Sequence, residues 1–124
     1  MIEGVGIDSV EVSRMEALIS KGNLFRDRAF TPLETDYCLS QGRSAQSFAA
    51  RFAAKEAFVK ALGTGFSGNL DFLQIEVSNK ATGQPQLSVS GAADAILKDR
   101  QIKTIHLSLT HTNSIATAIV ILEK

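Results

Sequence analysis

The chain has 124 residues, of which 44% are hydrophobic, and it carries 13 basic and 13 acidic residues. This length and hydrophobic content predict one globular domain, residues 1–124, and exclude a chain that is disordered throughout. The balanced charge argues against a general nucleic-acid binder, which would carry an excess of basic residues.

Three further features of the sequence indicate the compartment. Cys38 is the only cysteine, so an intrachain disulfide and a cysteine-rich zinc site are both excluded. The first four residues lack the basic and apolar regions of a secretory signal. The longest apolar run, residues 115–122, is too short to cross a bilayer. We therefore expect a cytoplasmic protein that binds neither membranes nor nucleic acid.

The N-terminal segment is predicted to form a strand followed by a helix. Apolar residues alternate with glycines over residues 2–8, which predicts a strand that ends at Asp8. Ser9 is placed to cap a helix that runs to about Ser20. The sequence Lys-Gly-Asn at residues 21–23 should end that helix.

A second and a third helix are predicted in the middle of the chain. Thr31 and Glu34 have the spacing of a capping box, and this helix should end near Gly42. The segment 44–62 is rich in Ala and Phe, and Gly63 follows it as a stop signal, so it should form the longest helix.

The C-terminal half is predicted to be mostly strand. Alternating apolar residues and turn sequences indicate, in order, strand 73–77, a turn at 83–85, strand 87–89, helix 92–98, strand 105–109 and strand 115–122. Strands and helices mixed in this way predict an α+β fold with a mainly antiparallel sheet and one long helix packed on it.

The first group of residues that could carry chemistry is the N-terminal Gly-Val-Gly-Ile-Asp, residues 4–8. A carboxylate at the end of a buried strand is held rigidly and suits a hard cation such as Mg²⁺. The alternative is that Asp8 or Ser9 only caps the next helix. The glycines do not form a dinucleotide-binding fingerprint, because the third glycine is missing.

The second group lies in the long helix. Phe52, Glu56 and Lys60 are four residues apart and share one face. Either Glu56 and Lys60 form an exposed ion pair, or Glu56 joins Asp8 on a metal while Lys60 meets a phosphate. The segment 63–65, Gly-Thr-Gly, follows the helix C-terminus, where the dipole repels anions, so it is not a P-loop.

The third group is Ser-Leu-Thr-His-Thr, residues 108–112. His111 shares a face with the apolar residues of its strand but stands at the strand end, so it is either a core histidine or a ligand-binding one. His106 points to the opposite face and is interpreted as a surface residue.

Taken in order, these three groups resemble the holo-acyl-carrier-protein synthase family, the small bacterial phosphopantetheinyl transferases. The resemblance rests on residues 4–8, 51–65 and 108–111, and it covers nearly the whole chain. It implies a 4′-phosphopantetheinyl transferase-like fold that forms a homotrimer with active sites at the subunit interfaces.

The resemblance also implies roles for individual residues. Asp8 and Glu56 match magnesium ligands, and Lys60 matches a lysine that contacts the phosphates. Arg51 matches a basic residue near the nucleotide phosphates. Further coenzyme A contacts are implied for His111 and Thr112, from the neighbouring subunit, and for Arg43, Phe48, Pro85 and Gly63. The carrier protein is expected to dock on Arg14, Met15, Leu18, Phe25 and Arg28. Leu24 departs from the family pattern, because many members have a basic residue there.

The implied reaction moves the 4′-phosphopantetheine arm of coenzyme A to a serine of apo acyl carrier protein, in fatty acid biosynthesis, and releases adenosine 3′,5′-bisphosphate. Either Glu56 or a water held by the metal would take the serine proton. Two other classes stay open: a Mg²⁺-dependent hydrolase of a nucleotide or of coenzyme A, and a non-catalytic trimeric module that binds nucleotides.

Overall fold

The computed structural model describes residues 1–124 and contains five α-helices, five β-strands and one short 3₁₀ helix, Phe72–Gln74. In chain order the helices and strands are β1 (Ile2–Glu11), α1 (Val12–Ser20), α2 (Asn23–Ala29), α3 (Pro32–Ser40), α4 (Ser44–Leu62), β2 (Ile75–Asn79), β3 (Pro85–Val89), α5 (Gly91–Asp99), β4 (Thr104–His111) and β5 (Ile115–Glu123). None of the helices is both long enough and apolar enough to cross a membrane.

The strands form two antiparallel sheets, which confirms the α+β class predicted from the sequence. The larger sheet has the order β1-β5-β4, and β2 and β3 form a separate hairpin. The 19-residue helix α4 packs on one face of the larger sheet. Every second residue of β5 faces it and is fully buried, from Ala116 to Leu122. One part of the core therefore lies between α4 and this sheet, and buried residues of α3 and of the β2–β3 hairpin, such as Cys38 and Ile75, belong to the same core.

Strand β1 is longer than predicted, and the predicted cap at Ser9 is wrong. The strand continues to Glu11 because β5 offers a partner along its whole length, up to Ile115. Ser9 is paired with Thr117, and their hydroxyl oxygens are 2.8 Å apart. Helix α1 consequently begins at Val12 without a side-chain cap.

The other differences are local. Helix α2 was not predicted, because its sequence follows a glycine and has no apolar periodicity over its seven residues. Leu73 lies in the 3₁₀ helix and is exposed, so it does not begin strand β2. The capping box of Thr31 and Glu34 is confirmed, as is the helix end at Gly63, which has a left-handed φ of 79°.

Two glycines bring β1 directly onto the backbone of α4. A Cβ at Gly4 would clash with the carbonyl oxygen of Ala61, and a Cβ at Gly6 with that of Ala57. No larger residue fits at either position without displacing the strand from the helix. This contact places the next inward-facing residue of β1, Asp8, beside the C-terminal half of α4.

An ion pair buried in the core connects five elements. The side chains of Glu34 and Lys55 are both fully buried, and Lys55 Nζ lies 2.7 Å from Glu34 Oε1. Lys55 also donates to the carbonyl oxygens of Ala29 and Phe72, and Glu34 accepts from the backbone N–H of Val77. The pair therefore ties α4 and α3 to the end of α2, the 3₁₀ helix and β2. Burial lowers the pKa of Lys55, and the charge of Glu34 opposes that shift.

We expect Lys55→Met to lower the free energy of unfolding by about 3–5 kcal/mol, because it leaves the Glu34 carboxylate buried without a counter-charge. The double variant Glu34→Gln/Lys55→Met should be less destabilised than Lys55→Met alone, since no charge then stays buried. Urea unfolding measures both. As a control, Lys98→Met removes the exposed pair with Asp94 and should leave stability nearly unchanged. A Lys55→Met protein as stable as the parent would contradict the role given to the pair.

Candidate active site

Asp8, Glu56 and Lys60 come together where β1 crosses the C-terminal half of α4. Lys60 Nζ lies 2.8 Å from Asp8 Oδ1 and also donates to the carbonyl oxygen of Ile7 at 3.1 Å. Asp8 belongs to the face of β1 that carries Gly4 and Gly6, so the strand aims its carboxylate at the helix. The ion pair of Lys60 is with Asp8 and not with Glu56, which differs from the pairing that helical spacing suggests. The three residues form what we call the carboxylate cluster.

The charges in this cluster act on one another. Burial raises the pKa of Glu56, and the neighbouring charge of Asp8 raises it further, while Lys60 and Arg14 lower it. The pKa of Lys60 is raised by its hydrogen bond to Asp8 and by the charge of that carboxylate. Two carboxylates that disfavour each other's charge create a place where an added cation is stabilised. At neutral pH the cluster is therefore suited to a cation.

A cleft of about 520 Å³ opens on the other side of α4. It lies between the end of α3, the N-terminal half of α4, the β2–β3 turn and the end of β4. No acidic residue lines it. Its polar and charged lining residues include Tyr37, Gln41, Arg43, Gln46, Ser47, Arg51, Asn79 and His111, and Pro85 also belongs to the wall.

Arg51 is the most unusual residue of the cleft, because it is only 5% exposed and has no acidic partner. Its guanidinium carbon lies 4.1 Å from the centre of the Tyr37 ring, and its Nη2 donates to Asn79 Oδ1 at 3.2 Å. Its Nε is buried without a hydrogen-bond partner. A buried guanidinium with free donors is suited to an anion.

Arg43 and His111 stand nearer the surface. Arg43 donates from Nη1 to Asn113 Oδ1, and both Arg43 and His111 are exposed on the cleft wall. Thr112 is not part of the wall: its hydroxyl accepts from the backbone N–H groups of Ser114 and Ile115 and so shapes the β4–β5 turn. The cleft is thus lined by Arg51 of α4, His111 of β4 and Arg43, which directly precedes α4.

Two further predicted residues lie elsewhere. Phe48 is fully buried, and its ring centre is 4.8 Å from that of Phe30, so it belongs to the core and not to the cleft wall. A single ring on a helix can face either way, and the sequence did not show that Phe30 lies on that side of α4. Gly63 caps the C-terminus of α4, close in sequence to Lys60 and beyond the cleft.

The residues expected to dock a partner are split between surface and core. Arg14 and Arg28 are exposed, and Leu18 is half-buried. Met15 is only 1% exposed, so it packs in the core and cannot reach a partner. Phe25 is half-buried against Phe30 and Phe52. Leu24, by contrast, is 67% exposed. We call Arg14, Leu18, Leu24 and Arg28 the α1–α2 patch.

Sequence reasoning missed Tyr37 and Asn79 in the cleft. Tyr37 lies on α3 and Asn79 at the end of β2, 42 residues apart in the chain. Neither has a motif around it, and only the folding of the hairpin against α3 and α4 brings them together. The one available signal was that Tyr37 is the only tyrosine of the chain, which does not by itself indicate a site.

Comparisons with known proteins show which family this chain is similar to. The family model of the 4′-phosphopantetheinyl transferase superfamily matches residues 4–120. The holo-[acyl-carrier-protein] synthases of Geotalea daltonii and Treponema denticola are 42% and 48% identical to this chain, over 100% and 99% of both chains respectively.

Solved structures give the same result. The holo-[acyl-carrier-protein] synthase of Neisseria meningitidis is 36% identical and superposes with a TM-score of 0.92, covering all of both chains. The Bacillus anthracis enzyme, solved in complex with CoA (3′,5′-ADP), is 37% identical with a TM-score of 0.83, over 100% of this chain and 98% of that one. The chain described here therefore belongs to the 4′-phosphopantetheinyl transferase superfamily.

Proposed function

We propose that this chain is a Mg²⁺-dependent holo-acyl-carrier-protein synthase. It moves 4′-phosphopantetheine from coenzyme A to a serine of apo acyl carrier protein, in fatty acid biosynthesis, and releases adenosine 3′,5′-bisphosphate. The observation that carries the proposal is the carboxylate cluster of Asp8, Glu56 and Lys60, in a chain whose full-length relatives are named holo-acyl-carrier-protein synthases.

The cluster fits Mg²⁺ by the chemistry of its donors. Asp8 and Glu56 supply carboxylate oxygens, and no three or more Asp, Glu, His or Cys residues are grouped closely enough to hold a metal ion by themselves. Mg²⁺ is usually held by one or two carboxylates, with waters and substrate phosphates completing its shell. Bound there, Mg²⁺ would neutralise charge on the pyrophosphate.

The residues of the chain have separate tasks in the proposed reaction. The serine oxygen of the carrier forms a bond to the phosphorus next to pantetheine. The bond from this phosphorus to the bridging oxygen breaks, and adenosine 3′,5′-bisphosphate leaves with the electron pair. Glu56 takes the serine proton, because Asp8 is already paired with Lys60. Lys60 uses two of its three donors within the chain, which leaves one for a phosphate oxygen.

The cleft would hold the other end of coenzyme A. Coenzyme A carries phosphate at two places, the pyrophosphate and the 3′-position of the ribose. The pyrophosphate must lie at the carboxylate cluster, so the basic cleft of Arg43, Arg51 and His111 is left for the 3′-phosphate. Charge-assisted hydrogen bonds from guanidinium groups suit such a dianion.

The positions of these two regions support a homotrimer with shared sites. Arg51 and Glu56 are five residues apart, or roughly 140° around the axis of α4. Asp8 stands on one edge strand of the larger sheet and His111 on the other. One chain therefore presents the cluster and the cleft on different sides of α4. We propose that a site forms between the cluster of one subunit and the cleft of its neighbour.

The uncovered face of the larger sheet supports the same assembly. Val5 and Ile7 are 54% and 58% exposed, and β5 places Ile121 and Ile119 directly beside them. Such a contiguous apolar group on a regular sheet is typical of a subunit interface. Two further copies of this chain are the occupants we propose, because the divided site needs a neighbour.

Mass spectrometry of apo acyl carrier protein tests the function directly. Incubated with this protein, Mg²⁺ and coenzyme A, the carrier should gain the mass of one phosphopantetheinyl group. Adenosine 3′,5′-bisphosphate should appear only when the carrier is present. Its release without a carrier would identify a hydrolase instead, and coenzyme A binding with no product in either case would identify a binding module.

We expect Glu56→Gln to lower the transfer rate by at least about 100-fold, as for the loss of a general base. Because the pKa of Glu56 is raised in the folded protein, ionising Glu56 destabilises the metal-free fold. The contribution of Glu56 to stability is greatest at acid pH and is lost as the pH rises through the raised pKa. At neutral pH without Mg²⁺, Glu56→Gln should therefore have a higher Tm than the parent.

Thermal unfolding with and without Mg²⁺ completes this test. Mg²⁺ should raise the Tm of the parent and leave the Tm of Glu56→Gln and Asp8→Asn unchanged, because a ligand stabilises only the state that binds it. The Tm difference between the metal-free parent and Glu56→Gln should shrink at a pH low enough to protonate Glu56. Near-parental transfer by Glu56→Gln in saturating Mg²⁺ would refute the assignment.

Shared sites predict complementation between two inactive proteins. Glu56→Ala damages the cluster and His111→Ala damages the cleft, so a homotrimer of either variant contains no intact site. After the two variants are mixed and exchange subunits, some interfaces should join the intact cluster of a His111→Ala subunit to the intact cleft of a Glu56→Ala subunit. Part of the activity should then return. Light scattering should show a trimer throughout. A fully active monomer, or no recovery after demonstrated exchange, would contradict the shared site.

The α1–α2 patch is the proposed docking surface for the acyl carrier protein. Two arginines, Arg14 and Arg28, accompany the half-buried Leu18 and the exposed Leu24. Arg14 is close enough to lower the pKa of Glu56, so a partner on this patch would be near the carboxylate cluster. A basic and apolar patch suits an acidic helix with an apolar ridge.

Charge reversal on this patch should raise the KM for the carrier protein about 5- to 150-fold, a loss of about 1–3 kcal/mol. Arg28→Glu is the cleaner variant, because Arg14 also acts on the Glu56 pKa. It should leave the KM for coenzyme A unchanged, and the carrier KM of the parent should rise with salt. Lys80→Glu, on the β2–β3 turn, is the matched control. A carrier KM unaffected by both Arg14→Glu and Arg28→Glu would place docking elsewhere.

A further inference from the structure

We propose that Tyr37 and Asn79 are positioning residues that hold the Arg51 guanidinium in place for the 3′-phosphate of coenzyme A. The inference deepens the proposed function and rests on it. Neither residue belongs to a recognisable motif, and neither touches the carboxylate cluster. Their place in the mechanism comes from the contacts that they make with Arg51 and with each other.

The three side chains form a closed set of contacts in the cleft wall. The Tyr37 ring lies under the guanidinium, with 4.1 Å from its centre to Arg51 Cζ. Asn79 Oδ1 accepts from Arg51 Nη2 at 3.2 Å, and Asn79 Nδ2 donates to Tyr37 Oη at 3.1 Å. Contact with the ring restrains the position of the guanidinium, and the Asn79 hydrogen bond restrains its rotation.

This arrangement restrains the arginine without neutralising it. A carboxylate in place of Asn79 would hold the guanidinium equally well, but it would repel an incoming phosphate. An amide oxygen and an aromatic face orient the cation and leave its charge for a ligand. Arg51 makes one hydrogen bond through its side chain and keeps a buried, unpartnered Nε. The guanidinium therefore has donors available for an anion.

The anchoring elements explain why this restraint can be rigid. Tyr37 lies on α3, which the capping box begins and the buried Glu34–Lys55 pair fixes to α4. Asn79 ends β2, whose Val77 donates its backbone N–H to Glu34. Both positioning residues are thus attached, through their own elements, to the same buried carboxylate. Their distances to Arg51 on α4 are set by the core.

Titration calorimetry with two nucleotides tests the proposal without relying on transfer. Adenosine 3′,5′-bisphosphate carries the extra phosphate, and adenosine 5′-monophosphate lacks it. Tyr37→Leu removes the aromatic face and should weaken binding of the bisphosphate by about tenfold, while affinity for the monophosphate stays unchanged. Tyr37→Phe keeps the face and should retain most of the preference. Asn79→Leu should lose part of the preference for the bisphosphate over the monophosphate.

The matched control is Gln86→Leu. Gln86 is an exposed amide on β3 that bonds only the Ser78 hydroxyl and does not line the cleft. The Gln86→Leu variant should bind the bisphosphate in preference to the monophosphate as strongly as the parent does. Circular dichroism checks that each variant is folded. If Tyr37→Leu does not fold, Asn79→Leu still tests the proposal, because Asn79 is exposed and its substitution disturbs the core less.

Kinetics with intact substrates separate this role from a general structural one. Tyr37→Leu and Asn79→Leu should raise the KM for coenzyme A with little change in kcat, and should leave the KM for dephospho-coenzyme A, which lacks the 3′-phosphate, unchanged. Equal loss for both substrates, or an unchanged preference between the two nucleotides, would overturn the positioning role. A parent protein that binds the bisphosphate but transfers nothing would refute the proposed function alone; one that binds neither nucleotide would overturn both.

Discussion

The direct contact of β1 with the backbone of α4 is the constraint on which the candidate site depends. Gly4 and Gly6 face Ala61 and Ala57 so closely that no side chain fits between strand and helix. This contact sets the position of Asp8 along α4, and it brings the Asp8 carboxylate within 2.8 Å of the Lys60 ammonium. The two glycines resemble part of a phosphate-binding loop in sequence, but their role here is to allow close packing of β1 on α4.

Helix α4 separates two chemistries that a single large substrate would have to bridge. Its C-terminal half carries Glu56 and Lys60 beside β1, and its N-terminal half carries Arg51 in a cleft at the other edge of the sheet. This division lets a small chain contribute to a binding site larger than itself, because each side of the helix can face a different copy of the chain. The apolar outer face of the sheet, with Val5 and Ile7 exposed, is consistent with such an assembly.

Two lysines five residues apart on α4 show how burial decides a role. Lys55 is fully buried and saturated by one carboxylate and two backbone carbonyls, so its charge stabilises the fold. Lys60 has a side chain 53% exposed and keeps a free donor at the surface. The sequence marks both as cations on one helix. Only the elements packed around each of them distinguish a structural charge from one available to a substrate.

By itself the sequence determined the elements with strong local signals and the residues of the three motifs. The bounds of α4, the capping box at Thr31 and the strands of the C-terminal half needed only periodicity and caps, which act over a few residues. The tertiary structure decided the rest: that Ser9 pairs with β5, that Phe48 and Met15 turn into the core, and that Tyr37 and Asn79 meet at Arg51. Each of these depends on a neighbour distant in the chain, because burial and pairing are set by whichever segment folds against a residue and not by the residues beside it.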